Sequence, residues 1–309
     1  MNHQALTISV IGAGFWGSTL AEVAARRHHQ VHLWSRRSPD TLAAVTTKAD
    51  VILSAVSMVG VQPTSEKLKQ IQLSPETIIV TATKGLDSFT MQTPSQIWQQ
   101  AFPHHPIVVL SGPNLSKEIR QNLPAATAVA SADIAAAQKI QGALSSEKFR
   151  VYVNADPMGT ELGGTLKNVM AIAAGVCDGL ALGTNAKAAL LTRALPEMIR
   201  VGQHFGAKTE TFFGLSGLGD LLATCNSPLS RNYQVGYGLA QGKSLEQIFS
   251  ELEGTAEGIN TTEVLIKIAQ LEKLQLPIAT QVYALVNRQI TPEETVTKLM
   301  ARDLTQEGF

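Results

Sequence analysis

Residues 8 to 17 read Ile-Ser-Val-Ile-Gly-Ala-Gly-Phe-Trp-Gly, an apolar run that opens straight into G-x-G-x-x-G at Gly12, Gly14 and Gly17. Gly12 suits a tight strand-to-helix turn, and Gly14 lets the backbone approach a pyrophosphate. Gly17 lets the following helix pack closely on the strand, so that its free N–H groups face the phosphates. Three glycines alone would also fit an ordinary turn. Their setting points further. Thr7–Ile11 has strand composition, Phe15–Arg27 holds good helix formers without Pro, and a second apolar run, Val31–Trp34, follows at the strand–helix–strand spacing. A dinucleotide site is expected here.

The end of that second strand bears on which dinucleotide. An NAD site usually places an acid there, about 20 residues beyond the glycines, to hold the ribose 2′-hydroxyl. This chain has Ser35, Arg36 and Arg37 instead. Two guanidiniums suit a 2′-phosphate, because each offers a fork of N–H donors to phosphate oxygens. NADP(H) is therefore preferred, without excluding NAD(H), against the plainer reading of a solvated basic turn.

At 309 residues the chain has room for two domains with separate cores. Acidic and basic residues balance at 25 each, so no global field favours nucleic acid or an acidic membrane. A content of 44% hydrophobic and 16% charged residues argues against disorder. Cys177 and Cys225 lack metal-ligand spacing, so no metal is expected, and they suggest a reducing compartment. The first residues do not read as a signal peptide, and the most apolar stretch, Val169–Leu182, is broken by glycines and Asp178. A cytoplasmic protein without a membrane span is expected, with a homodimer left open.

Up to about residue 155 short β-rich runs alternate with helical stretches. Asp50–Val56, Thr77–Thr81, Ile107–Leu110, Thr127–Ala130 and Phe149–Val153 read as further strands. Such alternation implies a parallel sheet covered on both faces. After Asp156-Pro157 the strand signals vanish and long Ala/Leu-rich helical stretches take over. The expected fold class is α/β: a Rossmann-type parallel-sheet domain, residues 1–155, followed by an all-helical C-terminal domain, residues 156–309.

Three motifs lie where such a fold would use them. Thr81-Ala82-Thr83-Lys84-Gly85 ends one strand and Ser111-Gly112-Pro113-Asn114 ends another. Ligands sit outside those ends in open α/β sheets, so Lys84, Gly112 and Asn114 could meet one, although a surface lysine and a simple turn explain them as well. Next, Gly163 and Gly164 precede Lys167 by four and three residues and share its helix face. They make room either for a ligand or for a neighbouring helix. Finally, Ser230 is a good N-cap for a helix running to about Gln241, with Gly242 as its stop. Arg231 and Asn232 then fall in the first turn, where backbone N–H groups and the helix dipole favour an anion such as phosphate. Asp220 either starts a helix or pairs a lysine.

Taken together these motifs resemble the bacterial type of the NAD(P)-dependent glycerol-3-phosphate dehydrogenase family. The resemblance runs through Gly12-Ala13-Gly14-Phe15-Trp16-Gly17, Ala82-Thr83-Lys84-Gly85-Leu86, Ser111-Gly112-Pro113 and Glu161-Leu162-Gly163-Gly164-Thr165-Leu166-Lys167-Asn168. It continues through Gly217-Leu218-Gly219-Asp220-Leu221, Ser230-Arg231-Asn232 and Glu257-Gly258, in the family's order over nearly the whole chain. It implies reversible hydride transfer between NAD(P)H and dihydroxyacetone phosphate, giving sn-glycerol 3-phosphate for phospholipid synthesis.

The resemblance assigns Lys167 as acid/base. Lys84, Gly112, Asn114, Lys167, Asp220, Ser230, Arg231 and Asn232 would hold substrate. Gly12, Gly14, Phe15, Trp16, Gly17, Arg36, Arg37, Lys84, Ser116, Arg231 and Glu257 would meet the dinucleotide. The family usually carries a longer stretch between the second and third strands than Ser38–Ala49, and Asn114 and Ser116 differ from its commoner residues. Two alternatives stand beside this reading. A 3-hydroxyacid dehydrogenase or ketopantoate reductase would also use a lysine beside an asparagine, but has no need of the Ser230-Arg231-Asn232 anion site. A non-catalytic NADP(H) sensor would need neither Lys167 nor Asp220.

Overall fold

The computed structural model describes residues 5–303. Contacts divide the chain into two compact units. One comprises the residues up to Asp87 together with Gln92–Glu161; the other comprises Ser88–Met91 and the chain from Leu162 onward.

The first unit carries seven strands: β1 (Thr7–Ile11), β2 (Gln30–Trp34), β3 (Val51–Ser54), β4 (Ile78–Thr81), β5 (Ile107–Ser111), β6 (Ala125–Ala130) and β7 (Phe149–Asn154). Between them run α1 (Phe15–Ala25), α2 (Leu42–Thr46), α3 (Met58–Lys69), α4 (Pro94–Ala101), α5 (Ser116–Arg120) and α6 (Ile134–Leu144). The strands form one sheet in the order β2-β1-β3-β4-β5-β6-β7. Because β1 stands between β2 and β3, the order reverses beside it. The crevice outside the carboxyl ends of β1 and β3 is where a sheet of this kind takes a ligand.

Period-two alternation decides both faces. Ile8, Val10, Val51, Leu53, Ile78 and Val80 pack with residues of α1, α5 and α6. Ile11, Ile52 and Ile79 pack on the other side with Leu42, Val45, Met58, Val61 and Trp98. Strands buried on both faces are mostly apolar, with only small hydroxyl residues such as Ser9, Ser54 and Thr81 among them, which is why they stand out in the sequence.

The sheet is mostly parallel, with one departure from the wholly parallel expectation: β6 runs antiparallel to β5. The connection holds only the five-residue α5, which rises about 7.5 Å and cannot carry the chain back across the sheet. The chain therefore re-enters at the edge where it left. The short Ser38–Ala49 stretch is folded as well. Thr41 caps α2, the Trp34 indole donates to the Asp40 carbonyl at 2.9 Å, and the Ser9 hydroxyl donates to the Val45 carbonyl.

The chain then enters α7 (Pro157–Gly179), and no strand follows it among the described residues. The second unit is built from most of α7, then α8 (Gly183–His204), α9 (Asp220–Cys225), α10 (Arg231–Ala240), α11 (Leu245–Glu251), α12 (Glu257–Glu272), α13 (Pro277–Val286) and α14 (Pro292–Met300). No helix among the described residues is long and apolar enough to cross a membrane.

Buried carboxylates cap two of the helices that open on proline. In the first unit Glu161 accepts from the Ser95 amide at 2.8 Å and from the Ser95 hydroxyl. In the second unit Glu197 accepts from the Ile278 and Ala279 amides at 2.9 and 2.8 Å. Proline brings no N–H, so these carboxylates meet donors of a first turn that the helix itself leaves unpaired. Burial pushes both carboxyls up to about 7, against the opposing pull of the donors.

The folded state thus holds a proton on Glu197 where the unfolded chain has lost it. The associated stability is present below the ordinary value of 4.5 and is lost as pH rises through about 7. Glu197→Gln removes this dependence. The Tm difference, wild type minus variant, is expected to shrink steadily from pH 5 to pH 8. A difference that grows with pH would mean that the ionised form is the one the fold prefers.

Candidate active site

In the first unit the register Ile11↔Trp34 places the glycine turn beside the end of β2, and the Gly12 amide donates to the Trp34 carbonyl at 2.8 Å. Gly12 has φ of 110°, and a Cβ there would lie 2.6 Å from the Ala55 carbonyl oxygen; a Cβ on Gly17 would lie 1.8 Å from the Gly12 carbonyl oxygen. Neither position admits a side chain. Gly14, in contrast, faces open space and is the N-cap of α1, with no side chain bonding to that helix start. The first-turn amides of α1 are left to an external acceptor. Phe15 is exposed beside them, while Trp16 packs against the core.

One strand over, Ser35 to Ser38 close a turn. The Ser35 amide donates to the Ser38 hydroxyl at 2.9 Å, the Ser38 amide to the Ser35 carbonyl at 3.0 Å, and the Arg37 amide to the Ser35 hydroxyl at 3.2 Å. Arg36 and Arg37 are both exposed on this turn.

Lys84 lies past β4 and Gly112 past β5, and the structure joins them: Lys84 Nζ donates to the Gly112 carbonyl at 3.2 Å. Asn114 turns instead toward β6, its amide donating to the Thr127 hydroxyl at 2.9 Å. Its carbonyl oxygen is buried with no hydrogen-bond partner. Ser116 is the half-buried first residue of α5.

In the second unit Lys167 and Asp220 are buried together, Nζ to Oδ1 at 3.0 Å. The sequence reading missed Thr224. Its hydroxyl accepts from Lys167 at 2.6 Å and donates to Asp220 at 3.0 Å, closing a triangle. The signal available was its spacing, one helical turn after Asp220 on α9. Asp220 both starts α9 and pairs the lysine. Gly163 serves close packing, since a Cβ there would stand 2.7 Å from the Ser216 carbonyl oxygen.

The start of α10 is built as expected. The Ser230 hydroxyl accepts from the Tyr233 amide at 3.3 Å, and Gln241 is the C-cap just before Gly242. Asn232 is buried and accepts from the Gly258 amide at 2.9 Å. Arg231 keeps solvent-exposed surface, with room made by Gly254, where a Cβ would fall 2.5 Å from one guanidinium nitrogen. Desolvation of its guanidinium lowers the pKa from the ordinary value, and the charge of Glu257 at the start of α12 opposes that shift. Among the described residues no cluster of His, Cys, Asp or Glu could hold a metal ion.

Comparison with known proteins covers nearly the whole chain. Residues 7–45 and 37–137 match the model for the N-terminus of NAD-dependent glycerol-3-phosphate dehydrogenase, and residues 156–297 match that for its C-terminus. A glycerol-3-phosphate dehydrogenase [NAD(P)+] of Nostoc sp. is 61% identical over 304 residues, 98% of this chain and 99% of the relative. Its counterpart in Synechocystis sp. is 62% identical over 300 residues, 97% of this chain and 95% of the relative. The crystal structure of glycerol-3-phosphate dehydrogenase from Coxiella burnetii superposes with a TM-score of 0.92 at 33% identity, covering 96% of this chain and 99% of that one.

Proposed function

The chain belongs to the NAD-dependent glycerol-3-phosphate dehydrogenase family, and we propose that Lys167 is the acid and base of its reaction. That reaction interconverts dihydroxyacetone phosphate and glycerol 3-phosphate with NAD(P)(H). The observation that carries the proposal is the buried triangle of Lys167, Asp220 and Thr224. A lysine is rarely buried unless paired. Here the pairing also fixes the direction of the ammonium.

NAD(P)H, when bound, supplies the hydride that reaches C2. Lys167 gives a proton to the C2 oxygen as the alkoxide develops, and takes it back in the oxidative direction. Asp220 and Thr224 hold the lysine in place for both. Arg231, Asn232 and the first turn of α10, capped by Ser230, hold the phosphate. Lys84, Gly112 and Asn114 hold the rest of the substrate, the orphaned Asn114 oxygen being an acceptor suited to a hydroxyl.

The residues fit a dinucleotide: Gly14 leaves open the space a Cβ would fill, and the start of α1 has no side-chain cap. Gly12, Gly14, Phe15, Trp16, Gly17, Ser116 and Glu257 would line it, with Lys84 and Arg231 serving both ligands. Arg36 and Arg37, raised on the turn after β2, would read the 2′-phosphate and set a preference for NADP(H). Changing both to Ala should weaken NADPH binding about 10- to 100-fold, the loss of one charge-assisted hydrogen bond or more, and NADH binding little. Titration with the two cofactors measures this; equal losses would mean that the arginines read some other group.

Cys177 and Cys225 are both free thiols, which supports work in the cytoplasm, where the product would feed phospholipid synthesis. The whole reading is tested by following NADPH absorbance with dihydroxyacetone phosphate and with unphosphorylated dihydroxyacetone. Fast oxidation is expected with the first alone. Silence with both would leave a sensor, and equal use of both would remove the phosphate site.

A further inference from the structure

A polar cluster in the second unit lies outside the groups just described. The Tyr233 hydroxyl, on α10, donates to Asp178 Oδ2 at 2.6 Å, and Lys187 Nζ, on α8, donates to the same oxygen at 2.6 Å. Asp178 stands near the end of α7. Lys187 also lies over the Tyr233 ring, 5.4 Å from its centroid, and Tyr237 stacks on that ring at 6.2 Å. Three helices therefore meet at one phenol. Burial and the Asp178 carboxylate both push the Tyr233 hydroxyl up from its ordinary value, so it stays a donor across the neutral range.

What the cluster does follows from how α10 packs. A Cβ on Gly175 of α7 would lie 2.1 Å from the Tyr233 carbonyl oxygen, and one on Gly236 of α10 would lie 1.8 Å from the Ile172 carbonyl oxygen. The two helices touch backbone to backbone. Helix pairs are normally keyed by side-chain ridges in grooves, and glycines remove the ridges. Along this seam no side-chain ridge keys α10, so its rotation is set by contacts on its other faces, the buried Val235 and Leu239 and the Tyr233 hydroxyl among them.

We propose that Tyr233, tied to Asp178 and Lys187, is a positioning residue that sets the rotation of α10 and thereby aims Arg231 and Asn232 at the substrate phosphate. This rests on the phosphate-site reading above. The phenol oxygen sits far from the helix axis, roughly 8–9 Å out, so a 10° turn would move it about 1.5 Å and break a bond of 2.6 Å. The same turn would carry the Arg231 guanidinium by about 1 Å, a misplacement that can cost up to about 10²-fold. Asn232, bonded to the Gly258 amide, holds the first turn from another side. Tyr233 supplies the long lever.

The test uses the full-length enzyme with saturating NADPH. Tyr233→Phe keeps the ring and its packing and removes only the hydroxyl. It is expected to raise the KM for dihydroxyacetone phosphate about 3- to 10-fold, with kcat within about 2-fold and Tm nearly unchanged. The inhibition constant of inorganic phosphate should rise by the same factor, and kcat/KM for unphosphorylated dihydroxyacetone should stay as it was. Asp178→Asn, which keeps an acceptor, should lie between wild type and Asp178→Ala.

Arg231→Ala is run alongside. If it weakens phosphate recognition while Tyr233→Phe changes neither constant, or lowers kcat equally for both substrates, the positioning role is overturned and the phosphate site stands. If Arg231→Ala itself leaves both constants unchanged, the phosphate site falls and the positioning role falls with it.

Discussion

Lys167→Ala is expected to slow reduction of dihydroxyacetone phosphate about 10²–10⁴-fold, the usual cost of losing a positioned acid/base, while NADPH binds nearly as before. The structure adds a second expectation. Lys167 and Asp220 are both buried and hydrogen-bonded to Thr224, so removing the lysine takes the opposing charge from a buried carboxylate. Breaking a buried pair from one side costs about 3–5 kcal/mol, whereas removing both partners costs far less. The single variant should therefore melt well below wild type. The double variant Lys167→Ala/Asp220→Ala should recover much of that loss in Tm and none of the activity. Turnover, NADPH titration and melting on the same preparations separate the two effects. Near-full turnover in the single variant would remove Lys167 from the chemistry. An unchanged Tm would mean that the hydrogen bonds Asp220 keeps, the one from Thr224 among them, carry its charge without the lysine.

Arg231→Ala should lower kcat/KM for dihydroxyacetone phosphate about 10- to 100-fold, since a charge-assisted hydrogen bond contributes roughly 1.5–3 kcal/mol. Ser230 caps the helix through its own hydroxyl and Asn232 is held by Gly258, so the first turn of α10 should survive the change. The loss then belongs to the guanidinium alone. The slow reaction of unphosphorylated dihydroxyacetone should barely move, because that molecule has no group for Arg231 to hold. An equal fall for both substrates would make Arg231 a contact of the dinucleotide or a prop for Glu257, and the phosphate would need another home.

What was legible in the sequence was mostly local. β1, β3, β4 and β5 announce themselves because strands buried on both faces are dominated by Ile, Val and Leu and carry no charged residue, and Ser230 announces α10 because a cap is written at one position. Ends were less clear. The expected helix over Phe15–Arg27 stops at Ala25, three residues before His28 takes up the left-handed conformation at φ of 61°. The direction of β6 was not legible at all, since it depends on how far α5 can travel rather than on the composition of the strand. Family motifs named Lys167 and Asp220, yet Thr224 sits 57 residues from the lysine it touches and belongs to none of the quoted motifs. The Lys84 to Gly112 bond likewise joins two loops that only sheet order brings side by side.

Ser88–Met91 lie between Lys84 and α4 in the chain, yet they belong to the helical unit, near Lys267, Gln270 and Leu271. The two halves are therefore not modules in the genetic sense. A fragment beginning at Leu162 would lack four residues of its own fold, and a swap of the whole N-terminal half between homologues would exchange those four as well. Recombination at the apparent boundary would carry a hidden mismatch across it. Chimaeras made there should be judged with Ser88–Met91 restored to the sequence that matches α12.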